Sequence, residues 1–399
     1  MLKTFDLARI SICLLALALA AALAVGGAPE RAGAQQPSAQ DSGAPEVNAE
    51  AWAIADTDSG RILASENEDQ RIQMASTAKV MTALVVLESD ADLDERVVIS
   101  EDAEEYVGDV YSNIGLISGE SVTARDLLAA SLIPSGTDAD YALAEYVGGG
   151  SVEQFVQMMN QKAEELGLEN TNFTNPTGID AENNYSSAED LIKITSAALE
   201  YDLFRELVSQ TEATIETRGV EDREIQTYTT NELLYSYPAA TGVKTGTGQE
   251  GFMLISSAEA QEESYIAAVL GADSSAARFT ASENLLRYAF GTFEQRPLVE
   301  EGQVYAEKEI PFRGRSIELT AADTISATVE QGAEVERRIR GGELPPSASE
   351  GDEVGQVEVI VGGESVGTAA LLASEGYEEA SFWQKTTGRV TGWIGGLFG

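Results

Sequence analysis

The sequence predicts an α/β unit built on an antiparallel sheet, followed by a small all-β unit and a C-terminal amphipathic helix. Three observations carry this. Strand-type segments stand at both ends of residues 48–295 with helical patterns between them, so the terminal strands share one sheet. From residue 296 to 376 the texture changes to short β-type runs between glycine-rich turns. The final residues, 380–399, contain no acid in a chain that carries 67.

Taken in order, AWAIADTDSGRILAS (51–65) reads as two strands around a Thr57-Asp58-Ser59-Gly60 turn. Helical periodicity follows over 77–88, 124–132, 138–147 and 152–166, the last stopped by Gly167. A further helix over 188–199 starts behind the Ser186-Ser187 cap. GFMLISSAE and SYIAAVLGAD return to strand character, and a helix over 276–290 closes the unit. In the β unit, QVYAEKEIPF, SIELTAA, TISATVE, EVGQVEVIV and ESVGTAALLA supply the strands.

The ends have their own chemistry. Residues 1–34 read as a secretory signal: Lys3 and Arg9, an apolar run over 10–25, and Ala32-Gly33-Ala34 before Gln35. An uncleaved anchor is the alternative reading of that run. Residues 35–47 are a Pro/Ser/Gln/Ala linker. Over 377–399, Phe382, Thr386, Val390, Trp393, Ile394 and Leu397 share one helical face, away from Lys385 and Arg389. That arrangement suits a helix lying on a membrane surface; docking on the protein itself is the alternative. An exported protein, peripheral on the outer face of the inner membrane, is the expectation.

The net charge of −42, spread over the whole chain, excludes nucleic acid as a partner. It suits a high-salt environment, where a Debye length of about 3 Å at 1 M screens self-repulsion. Histidine is absent, and the only cysteine, Cys13, lies in the leader. A Ser-His-Asp triad, a thiol nucleophile and a cysteine or histidine metal site are therefore excluded.

Three short motifs remain. Ser76 and Lys79 form the only S-x-x-K of a chain with seven lysines, and a helix beginning there brings hydroxyl and amine to one face. Taken alone, the pair reads equally as a capping serine and a solvated lysine. Ser135-Gly136-Thr137 follows the helix-breaking Pro134 and precedes a helix, which alone is an ordinary N-cap. Lys244-Thr245-Gly246 stands where a strand begins, with Gly242 and Gly248 keeping its surroundings small. A cation beside a hydroxyl on an approachable edge suits a carboxylate, although a glycine-rich hairpin with a surface lysine has the same composition.

Together and in this order, S-x-x-K, S-x-[N] and K-T-G resemble the active-site set of penicillin-binding proteins and serine β-lactamases. ELGLENTNFTNPTGID, NYSSAEDLIKI and VKTGTGQEGFMLISSA extend the likeness to the low-molecular-mass penicillin-binding proteins, the serine D-alanyl-D-alanine carboxypeptidases. The resemblance implies a β-lactamase/transpeptidase-like catalytic domain, an antiparallel sheet with helices on both faces plus a helical cluster. It implies no cofactor and no metal. Its substrates would be peptidoglycan stem peptides, with β-lactams as covalent inhibitors. Ser76 would be the nucleophile and Lys79 its base, kept neutral by burial and by a second cation, Lys244. Ser135 would relay the proton to the leaving group. Lys244, Thr245, Gly246 and Thr137 would bind substrate, and the N–H groups of Ser76 and Thr247 would hold the oxyanion. Two departures stand out: Thr137 where the family usually has Asn, and Thr247 where it often has an aromatic or histidine. A shorter hydroxyl at 137 implies a weaker substrate contact or a looser Lys79. A class A β-lactamase lacks the β unit and needs an E-x-x-L-N string, which this chain does not contain between its second and third motifs. A penicillin-binding module without turnover is the remaining alternative.

Overall fold

The structure, a computed structural model, describes residues 43–105 and 111–383. The expected leader, most of the linker and the tail beyond residue 383 lie outside the described residues.

The chain enters through the hairpin of β1 (Ala51–Asp56) and β2 (Ile62–Glu66). A turn of 3-10 helix, Ala75–Ala78, runs directly into α1 (Lys79–Glu88). A two-stranded ribbon of β3 (Arg96–Val98) and β4 (Ser121–Thr123) brackets the short α2 (Glu101–Glu104). Next come α3 (Ala124–Leu132), α4 (Thr137–Val147), α5 (Val152–Glu165), α6 (Ala188–Leu199) and α7 (Asp202–Ser209). The hairpin of β5 (Glu212–Thr217) and β6 (Arg223–Tyr228) and the single turn α8 (Leu233–Ser236) lead to three long strands. These are β7 (Ala240–Gly248), β8 (Gly251–Ala260) and β9 (Glu263–Ala272), followed by α9 (Ser275–Thr292).

The main sheet has the order β2-β1-β9-β8-β7, so the first and last strands of the unit do share it, and every pairing is antiparallel. β1 is buried along its whole length because both faces are covered. Its side chains alternate, as the period of a strand requires. Trp52 and Ile54 pack with Phe279, Leu285 and Leu286 of α9, whereas Ala51, Ala53 and Ala55 face the helical cluster with Val80, Met81 and Leu84 of α1. Small residues on that second face let α6 approach the sheet, and each fully buried leucine contributes about 2 kcal/mol. Lys79 through Val86 are buried on every side, which explains why α1 is apolar all round rather than striped.

Helices over 124–132 and 188–199 fall where periodicity predicts them. The β3–β4 ribbon, the β5–β6 hairpin and the helices α2, α7 and α8 were not predicted; most are too short to show a period, although α7 buries Phe204, Leu207 and Val208 on one face. β14 (Val335–Arg340), reading VERRIR, is an edge strand whose arginines face solvent. The β unit holds β10 (Phe293–Val299), β11 (Val304–Glu309), β12 (Ser316–Ala321), β13 (Ile325–Glu330), β14, β15 (Glu353–Val361) and β16 (Glu364–Ala373). Five of these form a sheet in the order β11-β12-β16-β15-β14 around a separate core, and β10 pairs with β13. β10 continues straight from α9 and straddles residue 296, where the composition changes.

One loop fixes the approach of the helical cluster to the first motif. Asn175 Oδ1 accepts from the N–H groups of Thr177, Gly178 and Ile179, folding 175–179 into a tight turn. Gly178 there has φ +79°, and a Cβ on it would stand 1.7 Å from the carbonyl oxygen of Ala75. Gly178→Ala is therefore expected to cost about 2–4 kcal/mol. Gly291→Ala, in open space within α9, should match or exceed the parent in stability. Thermal melting of both variants checks this; equal melting temperatures would mean the close approach is not obligatory.

Candidate active site

Ser76 is presented by a strained turn. From Met74 to Val86 every residue is buried except Ser76, which is partly exposed. The preceding Ala75 lies in the left-handed region at φ +47°, and Thr77 Oγ1 donates to the Met74 carbonyl at 2.6 Å to hold the turn. The sequence places Ser76 at the start of an α-helix. Instead it is the second residue of the 3-10 turn, with Lys79 closing that turn and opening α1. Residues three apart eclipse one another in 3-10 geometry, so the S-x-x-K spacing brings Ser76 and Lys79 into line.

Lys79 is buried, and its Nζ donates to Asp140 Oδ2 and, at 3.4 Å, to Thr137 Oγ1. Ser131 Oγ of α3 donates to the other oxygen of Asp140, so both carboxylate oxygens are engaged. Burial pushes the Asp140 carboxyl above the usual aspartate range, and the Lys79 charge opposes that rise. Thr137 is the first residue of α4, and Gly136 at the cap position lies where a Cβ would meet the Ala130 carbonyl at 2.9 Å. Ser135, at φ +70°, is buried, and its Oγ has no hydrogen-bond partner among the described residues. Asp138 is structural: its carboxylate accepts from the N–H groups of Ile114 and Leu116 and ties that segment to α4.

The third motif stands well inside β7, an edge strand of the main sheet, rather than at a strand start. Lys244 is buried and donates to the Thr245 carbonyl at 3.2 Å. Burial, then the Lys79 charge, pushes Lys244 well below the usual lysine range, with Asp140 opposing. Thr245 shares a hydroxyl hydrogen bond with Thr230, while Thr247 is exposed. Gly246 runs against the Ser76 turn: a Cβ there would lie 3.1 Å from Met74 O and 3.2 Å from Ala75 Cβ. Arg278 of α9 donates to the Gly246 carbonyl at 2.7 Å and to Thr247 Oγ1 at 3.2 Å.

Ser76, Lys79, Ser135, Thr137, Lys244, Thr245, Gly246 and Thr247 thus come from three separate elements whose contacts join them. Thr137 touches Lys79, Ser135 is two residues before it on one turn, and β7 packs on the Ser76 turn. Sequence reasoning missed Asp140, Ser131, Thr230 and Arg278. Asp140 carried a usable signal, as a second acid in DADYAL on a helix otherwise rich in alanine. Arg278 carried none, because its partners on β7 and β8, the Gly246 and Met253 carbonyls and the Thr247 hydroxyl, are set by tertiary packing. Among the described residues no cluster of metal-ligating side chains occurs.

Comparison with known proteins bears on the same residues. Residues 37–274 match the D-alanyl-D-alanine carboxypeptidase family of peptidases S11, and residues 293–379 match the C-terminal domain of penicillin-binding protein 5. The chain belongs to the D-alanyl-D-alanine carboxypeptidase family. It is 32% identical to D-alanyl-D-alanine carboxypeptidase DacF of Bacillus subtilis over 339 residues, 82% of this chain and 86% of that one. DacC of Escherichia coli is 31% identical over 373 residues, 89% of this chain and 92% of its own. Penicillin-binding protein 5 of Haemophilus influenzae has a similar structure, with TM-score 0.69 and 28% identity over 84% of this chain and 99% of that chain. The Streptomyces K15 DD-transpeptidase matches 62% of this chain and 99% of its own, at 36% identity and TM-score 0.60.

Arg278 is a fixed cation at the end of the β7 edge. Arg278→Leu frees the Gly246 carbonyl and the Thr247 hydroxyl, and is expected to slow acylation by a fluorescent penicillin at least about tenfold, roughly 1.4 kcal/mol. Arg278→Lys keeps the charge without the fork and should recover only part of the rate. Stopped-flow labelling compares the three; one common rate would show that Arg278 does not shape the cleft.

Proposed function

We propose that the protein is a serine D-alanyl-D-alanine carboxypeptidase that removes the terminal D-Ala of peptidoglycan pentapeptide stems. The observation that carries this reading is the packing of the Lys244-Thr245-Gly246 edge and the Thr137 turn on either side of Ser76 and Lys79. Ser76 Oγ attacks the carbonyl carbon of the penultimate D-Ala, and its proton passes to Lys79. The N–H groups of Ser76 and Thr247 receive the oxyanion. The C–N bond then breaks, Ser135 relays a proton to the departing D-Ala amine, and water hydrolyses the ester on Ser76. Lys244 and Thr245 receive the free carboxylate of the substrate. An anion arriving there favours the charged form of Lys244, which burial disfavours in its absence. β-Lactams acylate Ser76 by the same route and leave slowly. A β-lactamase is not favoured, since the relatives that cover most of the chain are carboxypeptidases and the β unit matches that of penicillin-binding protein 5.

A paired assay tests the reading. The protein should release D-Ala from a pentapeptide ending in D-Ala–D-Ala and be labelled by a fluorescent penicillin, and Ser76→Ala should abolish both. Labelling without release would identify a penicillin-binding module, and rapid catalytic loss of penicillin would identify a β-lactamase.

We further propose that the enzyme is exported and works at a membrane surface through its acid-free tail. The support is compositional: Phe382, Trp393, Ile394 and Leu397 with Lys385 and Arg389, after a chain of net charge −42. A chain ending at Glu379 should stay in the supernatant when anionic vesicles are pelleted, whereas the full chain should sediment with them. Equal sedimentation of both would remove the tail's role.

A further inference from the structure

Asp140 is a buried titratable group that the reaction just described does not use. Asp140 touches no expected substrate position, yet it is wholly buried and stands against the base. We propose that Asp140 is a positioning residue for acylation: it orients the Lys79 amine and balances the charge that Lys79 acquires on taking the Ser76 proton. This rests on the reading that Ser76 is acylated with Lys79 as its base.

The geometry supports the assignment from three sides. Asp140 is three residues after Thr137 on α4, so both side chains lie on one helical face toward Lys79. The Thr137 hydroxyl is a weak acceptor for Lys79 at 3.4 Å, and Asp140 Oδ2 is the strong one. Ser131 Oγ from α3 fixes the second carboxylate oxygen, so the carboxylate cannot swing away from the lysine without losing a buried hydrogen bond. The shorter side chain at 137 therefore does not leave Lys79 loose, because the acceptor has moved one turn along the same helix. The charged groups facing Asp140 are Lys79 on α1 and Lys244 on β7; the neighbouring Asp138 is turned to the Ile114 and Leu116 amides instead.

The proton balance is closed. In acylation the Ser76 hydroxyl proton moves to Lys79 as the Oγ–carbon bond forms, giving an ammonium beside the Asp140 carboxylate. When the leaving D-Ala nitrogen is protonated through Ser135, Lys79 returns to the amine. Asp140 takes part in no bond exchange; it supplies the opposite charge during the step. It also requires that some of the resting protein hold Lys79 as the amine. Burial favours the amine form of Lys244, so the cluster carries fewer ammonium charges than its two lysines could hold.

The test uses the full chain, with a fluorescent penicillin as the probe and the acylation rate measured from pH 5 to 10 alongside thermal melting. In Asp140→Asn an amide carbonyl still receives the Lys79 amine, but a negative charge is gone from beside two lysines. Removing that charge disfavours the ammonium form beside it, and the acidic limb of the rate profile should move down by about one pH unit. Asp140→Ala should acylate about a hundredfold more slowly, and adding Thr137→Asn should restore at least tenfold of that loss by supplying an acceptor from the neighbouring turn. An unmoved acidic limb in a folded Asp140→Asn protein overturns the proposal, and that isosteric variant decides the matter even if Asp140→Ala does not fold. Parent protein that is not labelled at all would instead overturn the acyl-enzyme reading of Ser76.

Discussion

The site depends on a charge constraint: two lysines and one carboxylate occupy a volume closed to water. Lys79 and Asp140 are 0% exposed and Lys244 is 1% exposed. An unpaired ion in such a place costs several kcal/mol, so each must be matched, neutral, or supplied with a partner on binding. Asp140 answers for Lys79, and Ser131 completes Asp140. Among the described residues no carboxylate pairs with Lys244, which donates to the Thr245 carbonyl. Burial, with the Lys79 charge adding to it, therefore holds Lys244 toward its neutral amine. Under the proposed function, a substrate carboxylate arriving at Lys244 supplies the partner that the fold leaves out.

Backbone geometry places the hydroxyls against this charge. Ala75 and Ser135 are both non-glycine residues in the left-handed region, one just before the first motif's serine and one at the second motif's serine. Each costs about 1 kcal/mol or more and persists only where the surroundings over-determine it. Those surroundings are close backbone approaches: Gly178 beneath Ala75, Gly246 beside Met74, and Gly136 against the Ala130 carbonyl. The glycines of the NPTGID, K-T-G and S-G-T stretches are thus needed by the turn that presents Ser76 and the turn that presents Ser135. A side chain at any of them would move a hydroxyl before it touched a ligand.

Much of the architecture was legible in the sequence because its signals are local. Residues 124–132 and 188–199 read as helices from spacing and capping serines, and the strands on either side of Gln261 from apolar runs. Among the elements that went unread, β5, β6 and β14 are partly solvated, and their inward positions, such as Ile215 and Ile225, are too few to impose a period; α7 is only about two turns long, although Phe204, Leu207 and Val208 do share one buried face. The site divides in the same way. Ser76, Lys79, Ser135 and Lys244 were legible as motifs, since each motif is contiguous. Asp140 and Arg278 were not, because their roles are set by what folds against them: an amine from another helix and a carbonyl from an edge strand. The 3-10 turn at Ser76 was also illegible, for the close approach of Gly178 to Ala75 that accompanies it spans a hundred residues of sequence.

The same separation of local pattern from tertiary contact governs the link to the β unit. Its core, with Leu319, Val357, Val359 and Leu371, shares no residue with the core around Trp52 and Leu285. Two hydrophobic cores that do not merge leave polar contacts to join the units. α9 passes into β10 without a linker, and Asp56, at the end of β1, accepts from Thr328 Oγ1 at 2.6 Å. Arg61 on the same hairpin donates to the Thr328 carbonyl. Asp56 also closes its own turn by accepting from the Ser59 N–H at 2.8 Å, so the hairpin that starts the sheet grips β13 with a carboxylate already held in place. The β unit is therefore oriented by the sheet that carries Lys244, not by a tether, and the position of the chain leaving it at residue 376 is set by contacts whose other end is the first strand of the catalytic fold.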